Sequence, residues 1–227
     1  MLAAPFEAAT FASAGGDTLR YRLMLPLDYD STKNYPIVVC LHGSSGSGHD
    51  NIKQVASCLP ASWLSNDENR KKYPAILFVP QCPERKTWGG LKGAPAVGDL
   101  VVEALLDIEK KLPVDTTRRY IAGNSMGGYG AWLLAARYSK MFAAAIPICG
   151  GGDPLLAEQL TRVPIWAFHG ERDWNVPVSG SREVINAIKK AGGNPNYTEF
   201  PGKAHDISKE VTSTPGLLDW LFSQKKK

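Results

Sequence analysis

Short runs of consecutive apolar residues alternate along this chain with longer stretches in which apolar residues recur every three to four positions. The runs at 37–41, 75–79, 119–122 and 142–148 are apolar nearly throughout and too short for helices, so they predict strands buried on both faces of a sheet. Two further strands, at 165–169 and 197–200, are expected to complete the sheet. Residues 6–12 and 18–25, which flank Gly15 and Gly16, predict an antiparallel hairpin at its edge. Between these runs, residues 97–111 set Val101, Leu105 and Ile108 on one helical stripe that continues to Leu112, and Pro113 ends the helix. Residues 126–138, 178–191 and 216–223 predict three more helices, and 50–58 a fifth. Alternating strands and helices with no internal repeat or low-complexity linker imply one domain over 1–227 of the α/β class, a mostly parallel sheet covered on both faces. Right-handed crossovers bring the carboxyl ends of the parallel strands to one edge, where open sheets of this kind hold their ligands.

Composition narrows the partners. With 44% hydrophobic and 21% charged residues, and no apolar run approaching the ~18 residues a bilayer span needs, no membrane role is expected. The formal charge of +4 falls to +1 once the terminal Lys225, Lys226 and Lys227 are set aside, so the basic balance describes a tail and no nucleic-acid partner is expected. Cys40, Cys58, Cys82 and Cys149 have no C-x-x-C spacing and no adjoining histidine, so no metal site is expected. Cys40 and Cys149 fall in apolar runs and read as core residues, while pairing of Cys58 with Cys82 stays open. The opening Met1-Leu-Ala-Ala-Pro lacks the regions of a signal peptide, as would a secreted chain whose leader had been removed, so the compartment is undetermined.

The segment Gly123-Asn124-Ser125-Met126-Gly127-Gly128 contains G-x-S-x-G between an apolar strand and a helix. A serine forced into so tight a turn projects its hydroxyl from the sheet edge, and the helix amino terminus beneath it favours negative charge. Ser125 is therefore the candidate nucleophile. It needs a base, and only His42, His49, His169 and His205 are available. His205 follows the last strand on a loop at the catalytic edge; His42 and His169 end strands in His-Gly pairs and read as backbone braces; His49 lies in a Gly/Ser-rich loop and reads as a rim residue. The orienting acid should lie between serine and histidine in chain order, which Asp173 does, with Asp153 as competitor and Glu171 and Asp206 as solvated loop charges. His42-Gly43-Ser44-Ser45-Gly46 supplies a turn whose Ser44 N–H can face the Met126 N–H across a carbonyl oxygen, an oxyanion hole. It lacks the Gly-Lys-Ser/Thr ending of a phosphate loop.

With these residues placed, the chain resembles the α/β-hydrolase superfamily from Tyr35-Pro-Ile-Val-Val-Cys-Leu-His-Gly to His205. Pro80-Gln-Cys-Pro with Trp88, and Gly123-Asn-Ser-Met-Gly-Gly-Tyr-Gly-Ala-Trp132, are similar to the group holding feruloyl and acetyl-xylan esterases, predicted peptidases and phospholipase/carboxylesterases. The resemblance implies an α/β-hydrolase fold and ester hydrolysis through an acyl-enzyme on Ser125, without a cofactor. Dienelactone hydrolases, which use cysteine as nucleophile, are disfavoured by serine at 125. Lys203-Ala204 before His205 departs from the glycine common in relatives. The short segment from Ile148 to Ile165 leaves no room for a cap, so short or soluble esters are expected over long-chain lipids, and the resemblance implies short-chain or aromatic (feruloyl- or acetyl-type) esters of small-molecule or carbohydrate-linked alcohols; Trp88 and Trp174, on catalytic-edge loops, are candidate substrate contacts or, equally, rim or core packing. The oligomeric state is not readable. A prolyl-oligopeptidase-like serine peptidase and a non-catalytic binding protein on the same fold are the other readings.

Overall fold

The computed structural model describes residues 5–91 and 93–226. Among them, eight strands form one sheet: β1 (Glu7–Ala12), β2 (Thr18–Met24), β3 (Tyr35–Leu41), β4 (Ile76–Pro80), β5 (Val114–Asn124), β6 (Ala144–Ile148), β7 (Trp166–Gly170) and β8 (Asn196–Phe200). Their spatial order is β1-β2-β4-β3-β5-β6-β7-β8. β1 and β2 pair antiparallel as the expected hairpin, β2 joins β4 antiparallel, and every later pairing is parallel. Along β3, alternate residues serve two cores: Ile37, Val39 and Leu41 point into one, Val38 and Cys40 into the other. That period of two explains why the run is apolar without a break.

Nine α-helical segments flank the sheet among the described residues: α1 (Lys53–Ala56), α2 (Leu59–Leu64), α3 (Asp67–Lys72), α4 (Gly98–Lys111), α5 (Met126–Arg137), α6 (Ala157–Leu160), α7 (Ser179–Lys190), α8 (Ser208–Thr212) and α9 (Leu217–Ser223). Helices α4, α5, α6 and α7 cover one face, and α1, α2, α8 and α9 the other. The four long predicted helices appear within two residues of their expected bounds. The helix expected at 50–58 is reduced to α1, because Asp50 Oδ1 accepts the Ile52 and Lys53 N–H groups and turns the chain before the helix begins. α3, unforeseen, buries no residue; the Asn66 side chain caps it, with Asp67 and Glu68 in its first turn and Arg70, Lys71 and Lys72 in its last, complementing the helix dipole. β5 starts five residues before its apolar stretch, through Asp115, Thr116 and Thr117.

All four cysteines are buried free thiols, and Cys58 lies against Cys40 rather than bridged to Cys82. Ser125 follows β5, Asp173 follows β7, His205 follows β8 and Ser44 follows β3, so the parallel topology delivers all four to one edge.

Candidate active site

Ser125 is the single residue between β5 and α5, and it adopts φ 58°, ψ −119°, a conformation that costs a side-chain-bearing residue about 1–3 kcal/mol. The strain is held from both sides. Its N–H donates to the Ile148 carbonyl of β6 at 2.8 Å, and its own carbonyl accepts the Gly128 N–H at 2.8 Å. Gly127 lets α5 approach β3 this closely, since a Cβ there would lie 2.1 Å from the Leu41 carbonyl oxygen. Asn124, which the sequence reading passed over within the motif, accepts the Leu59 N–H and donates to the Ser57 carbonyl, tying the elbow to the loop opposite.

His205 Nε2 lies 3.0 Å from Ser125 Oγ, and its Nδ1 lies 2.7 Å from Asp173 Oδ2. Facing a carboxylate, Nδ1 carries the hydrogen and leaves Nε2 bare toward the hydroxyl. Asp173 Oδ1 accepts the N–H groups of Asn175 and Val176, both at 2.9 Å. Burial pushes the Asp173 carboxyl up, but the Val176 N–H and the His205 imidazole outweigh it and hold the group below 3.8. The His205 loop is fixed by the Arg172 N–H donating to the Lys203 carbonyl, and the Cys149 thiol donates to the His205 carbonyl at 3.3 Å. The competing candidates are placed elsewhere: Asp153 accepts the Leu155 N–H, Glu171 accepts the Gly202 N–H, Asp206 accepts from Ser208, and His49 is exposed in its loop.

Across from Ser125, neither the Ser44 nor the Met126 amide donates to a protein acceptor among the described residues. The turn carrying Ser44 is braced from below. His42 Nδ1–H contacts the Gly43 carbonyl at 2.5 Å, its Nε2 accepts the Cys82 N–H at 3.0 Å, and the Trp88 indole N–H donates to the His42 carbonyl at 3.0 Å. Burial lowers the His42 imidazole to about 4, so the ring is neutral, as the bond from Cys82 requires.

Trp88 corrects its expected role. It is fully buried and packs edge-on against His42, so it supports the turn that carries Ser44 and has no surface to offer a substrate. Trp174 is 88% exposed at the rim, beside Asn175 and Val176. Two cavities meet at Ser125. One, of about 510 Å³, is lined by His205, Asn124, Ser45, Asp206 and Ser208; the other, of about 680 Å³, by Met126, Tyr129, Leu91, Ala94, Arg85 and Lys86; Ser44, Ser125, Asn175 and Val176 border both. Cys149, His169 and Asp173 bring potential metal-ligating atoms within 4.8 Å of one another, but each is already hydrogen-bonded within the protein, and a cation would have to displace those bonds.

The sheet order and the serine, histidine and carboxylate at its carboxyl edge define the α/β-hydrolase fold class. Residues 12–190 match the "Putative esterase" family, and the chain belongs to that family. It is similar to a crystal structure of a thermostable esterase, with a TM-score of 0.91 and 33% identity, covering 99% of this chain and 64% of that one. It is 30% identical over 181 residues to "Probable feruloyl esterase C" of Aspergillus terreus, covering 76% of this chain and 62% of that protein. It is also 22% identical over 255 residues to "Probable dipeptidyl-peptidase 5" of the same organism, covering 88% of this chain and 33% of that one. The chain thus spans less than two thirds of the length of these relatives.

Proposed function

We propose that this chain hydrolyses carboxylic esters through an acyl-enzyme on Ser125, with His205 as base and Asp173 as the acid that holds it. The observation that carries the reading is the relay from Asp173 through His205 to Ser125, at 2.7 and 3.0 Å, set beside the unengaged amides of Ser44 and Met126. A serine hydroxyl is a weak nucleophile until its proton is removed during attack, and the bare Nε2 of His205 is in place to take it. As Ser125 Oγ bonds to the carbonyl carbon, charge moves onto the carbonyl oxygen, where each amide donor contributes about 3 kcal/mol to the transition state. The imidazolium, stabilised by ionised Asp173, then gives its proton to the alcohol oxygen as the C–O bond breaks. Water repeats the sequence on the acyl-enzyme and releases the acid.

Because the alcohol must depart beside His205, the polar 510 Å³ cavity takes the alcohol, and the 680 Å³ cavity beyond Met126 takes the acyl group. Ser45, Asn124 and Ser208 suit a hydroxylated alcohol such as a carbohydrate, while Leu91, Ala94, Met126 and Tyr129 suit a short or aromatic acyl group. The feruloyl esterase name of the Aspergillus terreus relative supports the aromatic choice. Trp174 stands where the part of a substrate outside the cavities would pass, and we assign it a stacking contact there. A series of nitrophenyl esters of graded chain length, with feruloyl and acetylated-sugar esters and matched anilides, tests the reading. Turnover of short or aromatic esters well above anilides, together with fluorophosphonate labelling at Ser125, is expected. No labelling of the folded protein would overturn it.

A further inference from the structure

The Asp173 carboxylate is approached by a second imidazole. His169, the penultimate residue of β7, is fully buried, with Nε2 3.0 Å from the Val176 carbonyl oxygen and 3.2 Å from Asp173 Oδ2. Both neighbours are acceptors, so Nε2 carries a hydrogen. Nδ1 lies 2.8 Å from the hydroxyl of Ser181, in the first turn of α7, and that hydroxyl also lies 2.9 Å from the Gly150 carbonyl. Burial disfavours the charged ring, so Nδ1 is bare and shares the one hydrogen of the Ser181 hydroxyl with the Gly150 carbonyl. Gly150 in turn packs on the nucleophile helix, where a Cβ would lie 2.3 Å from the Gly128 carbonyl carbon. The ring therefore has one tautomer and one orientation, fixed from β6, β7 and α7 together. Its Nε2–H is directed at the Val176 carbonyl, and Nε2 lies 3.2 Å from the same Asp173 oxygen that accepts from His205.

We propose that His169 is a positioning residue of the reaction, its Nε2–H, anchored on the Val176 carbonyl, facing Asp173 Oδ2 at 3.2 Å beside His205 and so setting both the rotation of the carboxylate and the charge it presents to the base. This rests on the reading of Asp173 as the orienting acid. An oxygen that faces a second N–H dipole at 3.2 Å presents less of its charge to His205. Without His169, the carboxylate is free to turn, which slows catalysis, and its full charge falls on His205, which stabilises the imidazolium and moves the acid limb of the rate profile upward in pH. Cys149, Tyr129 and Asp206 also face the Asp173–His205 pair, and none changes in the variants below.

The test uses the full chain with nitrophenyl acetate across pH ~5 to ~9. His169→Phe keeps a flat ring without the N–H; it is expected to lower kcat about ten- to a hundredfold with KM nearly unchanged and to raise the acid limb of kcat/KM. His169→Gln, whose amide can present an N–H near Oδ2, is expected to restore most of kcat and the original limb. A folded His169→Phe with wild-type kcat and limb, or a Gln variant as impaired as Phe, would overturn the proposal. Ser181→Ala, which frees Nδ1 and leaves the Nε2–H, covers the case in which the Phe variant does not fold: a smaller shift in the same direction is expected, and an unmoved limb overturns it. Asp173→Asn serves as the reference, because full activity there would overturn the triad reading itself, whereas an inactive Asn variant beside unaffected His169 and Ser181 variants would sink only this inference.

Discussion

Ser125 occupies backbone geometry that an ordinary loop serine would avoid, and the cost is accepted because the φ of 58° is what aims Oγ at His205. Two predictions separate the side chain from the backbone. Ser125→Ala removes the hydroxyl proposed as nucleophile and is expected to reduce ester turnover about 10⁴-fold or more while the protein stays folded by circular dichroism. Ser125→Gly removes the hydroxyl and the strain together, so its unfolding free energy is expected to exceed that of Ser125→Ala by about 1 kcal/mol in urea titrations; equal stabilities would mean that the turn is unstrained. Trp174 gives a third residue-scale prediction, since an indole exposed to this degree contributes little to folding. Trp174→Ala is expected to raise KM for feruloyl or sugar-linked esters and to leave nitrophenyl acetate kinetics and stability unchanged. An unaltered KM for the larger esters would remove Trp174 from the substrate path.

At the scale of elements, the site is a set of strand ends, which is why so much of it was readable in the sequence. Ser125 and Asp173 each lie within a few residues of an apolar run and His205 within five of the last strand, and a chain that places strands in parallel order has little freedom in where their ends go. What could not be read is what depends on how a loop folds back. Trp88 sits between a strand and a helix, where a surface position is the natural expectation. The loop instead turns under itself through the Thr87 and Ala96 bridge and through Gly89 and Gly90 at positive φ, which drives the indole beneath the turn that carries Ser44. α3 was unreadable for another reason: its stability lies in capping and charge order, and it has no apolar periodicity to detect. The second contact of His169 was hidden too, because a His-Gly pair at a strand end announces a brace and not its target. Trp88→Phe tests the support role directly, since it keeps an aromatic ring and deletes the bond to the His42 carbonyl. A loss of about 1 kcal/mol in stability with a fall in kcat and little change in KM is expected, whereas a substrate contact would show in KM.

The whole molecule carries its polar interior in one protonation pattern, and that makes its stability depend on pH in a direction that can be worked out. His42 is buried and neutral, with an imidazole lowered from 6.5 to about 4, and His169 is lowered in the same direction by burial. Between these limits the unfolded chain binds protons that the folded one refuses, so stability is fully present above 6.5 and is lost as pH falls toward 4. For His42 the loss amounts to about 3 kcal/mol, a large share of the net stability of a domain. Asp173 and Asp115 are held low, Asp115 at about 2, so their contribution is present above 3.8 and drains away only below it. Acid unfolding should therefore come in two stages, histidine first and carboxylate second. Urea midpoints measured at half-unit steps are expected to decline already between pH ~6.5 and ~4, where the carboxylates that usually govern acid denaturation are still ionised. His42→Gln, whose amide oxygen can still accept the Cys82 N–H, is expected to flatten that first decline and leave the second in place. Midpoints in the wild-type protein that hold constant down to pH ~4.5 would show that folded His42 takes up its proton as readily as the unfolded chain, and the bond from the Cys82 N–H to a bare Nε2 would then be lost in acid without cost.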